Sequence, residues 1–154
     1  MDLVYLRDYF SSINSRSIVG DKIDFRIIYH HIPHIDYFTQ NIHSLKHESA
    51  VRPTAKICKW IAEAYVKKHK TTFVTHIKPI HIERIVETGF DWMITETKVA
   101  TKAYSMDTLY YFGCLNIENF EWIHQELKNI VLQNSSKESS AYKAHARQIL
   151  HSLK

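Results

Sequence analysis

Apolar residues recur along the whole chain at spacings of three and four, the periodicity that places side chains on one face of an α-helix. After Pro53, which we expect in a first helical turn, the repeat comprises Cys58, Ile61, Ala62 and Tyr65. The same spacing predicts seven amphipathic helices, whose apolar stripes cover residues 3–13, 35–45, 58–65, 82–93, 99–110, 120–131 and 142–153.

Two short stretches, residues 23–32 and 71–77, are rich in β-branched and aromatic residues and could pass for strands. A lone strand in a helical protein has no neighbour to complete its hydrogen bonds. We therefore interpret the first stretch as a helix and the second as a loop between helical pairs. The predicted fold class is all-α.

Composition supports this fold class. The 154 residues include only three glycines and three prolines, and no Asn-Gly or Asp-Gly pair. Hairpin turns draw heavily on glycine and on such pairs, so their scarcity favours helices joined by short polar loops. The length suits a single domain over residues 1–154.

Several features predict a cytoplasmic protein. No apolar run approaches the roughly 20 residues that span a bilayer. Residues 1–5 lack the basic and apolar regions of a signal peptide. Cys58 and Cys114 match neither a metal-binding spacing nor a disulfide framework, so we expect both to be buried, reduced thiols.

Three predicted helices begin alike, with a small or β-branched residue followed by alanine, at residues 49–56, 97–104 and 139–146. The first contains Val51-Arg52-Pro53-Thr54-Ala55, which resembles the start of the second helix in HEAT repeats. The resemblance implies an α-α superhelix, a HEAT-like or ARM-type solenoid whose helical hairpins stack around one core. About four hairpins would cover residues 1–32, 34–70, 79–113 and 116–154.

Residues 47–53, 98–106 and 142–147 resemble, more specifically, a group of small bacterial HEAT-like proteins. Members of that group are sometimes labelled adenylosuccinate lyase. The lyase family carries a Ser-Ser-x-Met-Pro-x-Lys loop on a much longer chain, and this sequence has neither feature. The resemblance therefore implies a non-catalytic scaffold.

The net charge of +4 is unevenly distributed, because residues 52–70 are basic and residues 81–131 lean acidic. Such blocks suit binding through charged surfaces, although solvated helix faces also explain them. In HEAT repeats the second helices line the concave side, where partners usually bind. The resemblance implies a basic concave surface for a protein partner, formed by Arg52, Lys56, Lys59, Lys102, Lys143 and Arg147. Homo-oligomer formation stays open, because a short stack leaves its end hairpins incompletely covered.

Nucleic-acid binding is the alternative function, with DNA and RNA both open. HEAT-like DNA glycosylases grip the phosphate backbone with a comparable surface, and Trp60, Trp92 and Trp122 are candidates for stacking on bases. Each tryptophan, however, lies in a helical segment, where core packing is the commoner role. A net charge of +4 is also modest for a nucleic-acid-binding protein.

No motif predicts catalysis, a cofactor or a metal site. The densest histidine cluster, residues 30–34, is interrupted by Pro33, which disturbs the helical spacing of metal ligands. Asp91, Glu96 and Lys98 resemble the Asp…Glu-x-Lys set of metal-dependent nucleases. That chemistry needs carboxylates from adjacent strands, whereas these residues belong to two successive predicted helices.

Overall fold

The computed structural model describes residues 35–67, 72–115 and 120–154. Within these ranges the chain is helical and contains no strand, which confirms the all-α fold class. The predicted hairpin at residues 1–32, with its strand-like stretch at 23–32, lies outside the described residues.

The described helices follow one another through short connections. They are α1 (Ile35–Asn41), which continues into a 3-10 turn (Ile42–Ser44), α2 (Glu48–Val66), α3 (Pro79–Ile94), α4 (Val99–Gly113), α5 (Trp122–Asn134) and α6 (Ser140–Ser152). A single helical turn, Thr72–Thr75, lies between α2 and α3. Our prediction of a loop throughout residues 71–77 is wrong for this turn. The turn leads directly to Ile77, whose side chain is buried in the core.

Pro53 does not mark the first turn of α2, contrary to our expectation. The helix begins at Glu48, and the amides of Ala50 and Val51 already donate to the His47 carbonyl, at 2.8 and 2.9 Å. The two side chains are buried, so the earlier start removes apolar surface from water. Pro53 costs only the helical hydrogen bond that a residue with an N–H would donate to the carbonyl of Ser49.

Helix α4 occupies the centre of the fold, because it packs against α2, α3, α5 and α6. Every residue of α4 is buried or half-buried, and the buried ones include Thr101, Ser105, Met106, Leu109 and Phe112. Small residues such as Thr101 and Ser105 let neighbouring helices approach closely. A helix that is apolar on most sides belongs in the interior rather than at the surface.

Two series of contacts run through the helices. The even-numbered helices pack as α2–α4–α6 and the odd-numbered ones as α1–α3–α5, while α4 also packs against α3 and α5. The core between the two series includes Ile82, Ile85, Met93, Ile123 and Leu127, each about 1% exposed or less. Burying each of these side chains contributes roughly 1.5–3 kcal/mol.

Candidate interaction surface

Asp107 on α4 joins three helices on the outer side of the even-numbered series. Lys59 on α2 donates from Nζ to Asp107 Oδ2 at 2.9 Å. His145 on α6 donates from Nε2 to Asp107 Oδ1 at 2.8 Å. The side chains of all three remain partly exposed, at 28% for Lys59, 26% for His145 and 16% for Asp107. The polar sides of α2, α4 and α6 therefore meet on one surface.

The electrostatics of this junction favour the charged forms of Lys59 and Asp107. Burial alone would raise the pKa of Asp107, but the hydrogen bonds from His145 and Lys59 outweigh it, so this pKa lies below its usual value. Burial would likewise lower the pKa of Lys59, but the hydrogen bond to Asp107 outweighs that effect and raises it. Both side chains are thus ionised at neutral pH and neutralise one another.

Cations lie over aromatic rings next to this junction. Lys59 Nζ is 6.0 Å from the ring centre of Tyr104, and Lys56 Nζ is 5.0 Å from that of Trp60. Further along α2, Lys67 lies 5.7 Å from the ring of Tyr111. Such contacts hold long cationic side chains against the surface instead of leaving them extended in solvent.

We define the α2 face as Arg52, Lys56, Lys59 and Trp60. On an α-helix, residues at spacings of three, four and seven lie on one side, which places Arg52, Lys56 and Lys59 together. Arg52 is exposed, and within the described chain it makes no ion pair or hydrogen bond. Trp60 adjoins this group through its contact with Lys56.

The other three predicted binding residues do not share this face. Lys102 is only 8% exposed and points into the fold, where its ammonium group pairs with Glu138. It lies five positions from Asp107, about 140° around the axis of α4. Lys143 and Arg147 each lie two positions from His145, about 160° away, on the other side of α6. The structure therefore brings together three of the six residues.

Asp107, the carboxylate that joins the three helices, was not among the binding residues predicted from the sequence. Asp107, Tyr104 and His145 carry no motif, and their contacts span 38 and 48 positions of sequence. The available signal was the i, i+3 spacing of Tyr104 and Asp107 on a helix whose other residues, apart from Lys102, are apolar, aromatic or small. That spacing indicates a shared side, but not which basic residues face it.

The three tryptophans have different environments. Trp92 is 6% exposed and belongs to the core, as expected for a tryptophan in a helical segment. Trp60 is partly buried on the α2 face. Trp122 is 49% exposed and stacks on Phe90, with the ring centres 5.4 Å apart.

Cys114 is exposed, so our expectation of a buried thiol is correct only for Cys58. Cys114 ends α4, where the central helix reaches the surface. Its Sγ lies 3.9 Å from Nε2 of His124, but that nitrogen also lies 2.9 Å from the carbonyl oxygen of Tyr110. A carbonyl only accepts hydrogen bonds, so Nε2 carries a proton and cannot take one from the thiol. Burial raises the pKa of Cys114, the opposite of what an activated nucleophile needs.

The described residues form no site for metal binding or for metal-dependent nuclease chemistry. No group of three or more His, Cys, Asp or Glu side chains there is placed to hold a metal ion. Asp91 lies on the exposed side of α3, and Glu96 and Lys98 lie in the loop that follows. The amide of Lys98 approaches the Glu48 carboxylate at 3.5 Å. None of the helices in the described segments has the length and apolar character needed to cross a membrane.

The fold and surface define an all-helical protein with a polar surface where three helices meet. No family model matches this chain. Neither the curated proteins nor the solved structures give a match.

Proposed function

We propose that the chain is a non-catalytic, HEAT-like helical-repeat scaffold that binds a protein partner through the α2 face. In this proposal α2, α4 and α6 are the second helices of successive hairpins in an α-solenoid. The series α2–α4–α6 supports the assignment, because solenoid repeats contact mainly their neighbours.

Polar contacts between successive even-numbered helices support the same arrangement. Glu48 at the start of α2 accepts a hydrogen bond from the hydroxyl of Thr101 in α4, at 2.8 Å. Glu138, just before α6, pairs with Lys102 of α4. Both acidic residues lie at helix starts that resemble one another in sequence. Each contact fixes one helix against the next, as a stacked repeat requires.

The observation that carries the binding proposal is the composition of the α2 face. Arginine, tryptophan and tyrosine supply most hot spots in protein–protein interfaces. Arg52 and Trp60 both belong to this face, with Lys56 between them along α2, and Tyr104 lies beneath Lys59 on the adjoining helix. Arg52, the exposed cation of this face, favours a partner with an acidic surface.

The alternative, phosphate-backbone binding, has less support. Affinity for nucleic acid depends on cations that can each neutralise a phosphate. Lys59 pairs with Asp107, Lys67 with Glu63 at 2.5 Å, and Lys102 with Glu138. Three cations of the basic helices thus already have carboxylate partners.

Affinity capture with matched charge reversals tests the proposal. The immobilised protein is incubated with extract of its source cells, and bound proteins are identified by mass spectrometry. We expect R52E/K56E to lose an acidic partner that the wild type retains. K143E/R147E makes the same charge change on the other side of α6 and should retain it. Equal binding by both variants would contradict the α2 face as the binding surface.

Fluorescence anisotropy with a labelled duplex DNA and a labelled single-stranded RNA tests the alternative. The protein is titrated at about 50 mM and about 200 mM salt. We expect no saturable binding at either salt concentration. Micromolar binding that weakens with salt and is lost in R52E/K56E would favour the nucleic-acid function.

A further inference from the structure

Helix α3 presents a stripe of exposed side chains, with Glu83 half-buried among them, that is opposite in charge to the α2 face. The stripe comprises Ile80, Glu83, Glu87, Asp91 and Ile94, at successive spacings of three and four along one side of the helix. It extends about 21 Å, at 1.5 Å per residue. We call it the α3 stripe. Its side chains form no ion pair with any described residue, whereas Arg84 beside it pairs with Asp36.

The ends of the α3 stripe are apolar. Ile80 is 42% exposed and Ile94 is 64% exposed, two of the four large apolar side chains that stand out as exposed in the described segments. Exposed apolar side chains that flank a charged patch are a feature of interaction surfaces. The stripe thus combines apolar contact area with carboxylates that form no ion pair among the residues the structure describes.

The charged groups of the two surfaces also match in spacing. Arg52 and Lys56 are four residues apart on α2, as Glu87 and Asp91 are on α3. Four residues correspond to about 6 Å along a helix axis. A helix carrying one pair can therefore lie beside a helix carrying the other, with both cations opposite carboxylates.

The two surfaces cannot satisfy each other within one molecule. The α2 face belongs to the even-numbered series and the α3 stripe to the odd-numbered series, with α4 packed against both helices. No described ion pair joins α2 to α3. Arg52 on the α2 face and Glu87 and Asp91 on the α3 stripe are exposed, so these side chains can contact another molecule.

We propose that the α2 face of one molecule docks on the α3 stripe of a second copy of this chain. The contact is heterologous, because two different surfaces meet. The proposal rests on the α2 face of the proposed function and names a second copy as one partner. Exposed ion pairs contribute little individually and are screened by salt, so the association is weak and favoured at low ionic strength.

Sedimentation velocity of the purified protein tests this association. Wild-type protein is examined from about 10 µM to 1 mM, at about 25 mM and about 500 mM sodium chloride. We expect the weight-average sedimentation coefficient to rise with concentration at low salt and to return to the monomer value at high salt. A monomer at every concentration in low salt would overturn the proposal.

Charge reversal on either surface should weaken association by about tenfold or more, because like charges then face each other. The variants are R52E/K56E on the α2 face and E87K/D91K on the α3 stripe. Their matched controls, K143E/R147E and E121K/E126K, change the charge by the same amounts at other places on the surface. The controls should associate as the wild type does. An equal loss in the controls would show a net-charge effect and overturn the proposal.

A mixture of the two reversed variants gives the most specific readout. The reversed α2 face of R52E/K56E is complementary to the reversed stripe of E87K/D91K, and their unchanged surfaces also complement each other. We expect the mixture to regain association that neither variant shows alone. Loss in both variants without recovery in the mixture would overturn the proposal, provided that circular dichroism shows both variants folded. If the protein does not self-associate, affinity capture can still identify a different protein bound to the α2 face. The two proposals can therefore fail independently.

Discussion

At the scale of single residues, Asp107 links the most helices, because its carboxylate accepts hydrogen bonds from side chains on two other helices. Its partners, Lys59 and His145, are only partly exposed, so their hydrogen bonds are less screened than those at an open surface. Hydrogen bonds that involve charged groups contribute more to stability than neutral ones.

We expect Asp107→Asn to destabilise the fold by about 1–2 kcal/mol, since Lys59 and His145 lose their common carboxylate. The measurement is urea unfolding at pH 7. The matched control is Asp91→Asn, an exposed carboxylate without an ion pair, which should change the free energy of unfolding by less than about 0.5 kcal/mol. Equal effects of the two substitutions would contradict the role of Asp107.

The lowered pKa of Asp107 predicts how this contribution depends on pH. A carboxyl group whose pKa is lower in the folded state binds fewer protons when folded, so it stabilises the fold above its unfolded pKa of about 3.9. The contribution is lost as the pH falls through the folded pKa. The stability difference between wild type and Asp107→Asn should therefore be full at pH 6 and diminish below about pH 4. Urea unfolding across this pH range measures it, and a constant difference would contradict the assignment.

At the scale of helices, α4 is held by different chemistry at its two ends. Near its start, the buried Lys102 pairs with Glu138, which precedes α6. At its end, Gly113 leaves room for the ring of His124 at the start of α5. The first contact is electrostatic and the second is steric, so the two respond differently to substitution.

Removing Glu138 alone leaves the ammonium group of Lys102 buried without its counter-ion. We expect Glu138→Gln to cost about 2–4 kcal/mol and the double variant K102M/E138Q to cost less, because methionine carries no buried charge. Chemical denaturation of both single variants and the double variant completes a double-mutant cycle. A double variant less stable than Glu138→Gln would refute this account.

A side chain at Gly113 would collide with α5. A Cβ atom there would lie 2.1 Å from Cδ2 of His124, far inside van der Waals contact. We expect Gly113→Ala to destabilise the protein by about 1–3 kcal/mol, because the ring must move and give up its bond to the Tyr110 carbonyl. The control compares thermal unfolding of G113A/H124A with that of H124A. Without the His124 ring, Gly113→Ala should lower the stability less than it does in the wild type.

At the scale of the whole molecule, α4 connects both helix series into one core. Leu109 is fully buried at the centre of α4, whereas Leu132 on α5 is 55% exposed. Because four helices pack against α4, a cavity in it weakens the support of all of them.

We expect Leu109→Ala to cost about 2–5 kcal/mol and Leu132→Ala less than about 1 kcal/mol. Tryptophan fluorescence and far-ultraviolet circular dichroism should follow the same single unfolding transition, since tryptophans lie on α2, α3 and α5. Separate transitions for the two probes in Leu109→Ala would contradict a common core built on α4.

The sequence by itself determined the fold class and most helix positions, because apolar spacing and the scarcity of glycine are local properties. It also located the start of the last helix: the helix entry predicted at residues 139–146 coincides with α6, where the N-cap residue Ser139 accepts the amide of Tyr142 at 3.3 Å. The expectation of Pro53 in a first helical turn was wrong, because burial of Ala50 and Val51 extends the helix towards its N-terminus. The helix entry predicted at residues 49–56 agrees with the observed start at Glu48 to within one residue. Local signals failed at residues 72–75, where a short turn interrupts the predicted loop.

Only the tertiary structure decided which charges share a surface. Lys59 and Lys102 look alike in sequence, both basic and both on predicted second helices. Yet Lys59 stays partly exposed and pairs with Asp107, whereas Lys102 is buried and pairs with Glu138. The difference arises from the rotation of each helix about its axis, which is set by packing against neighbours distant in sequence. Net charge and local spacing do not depend on that rotation. They could therefore nominate the basic residues, but not place them on one surface.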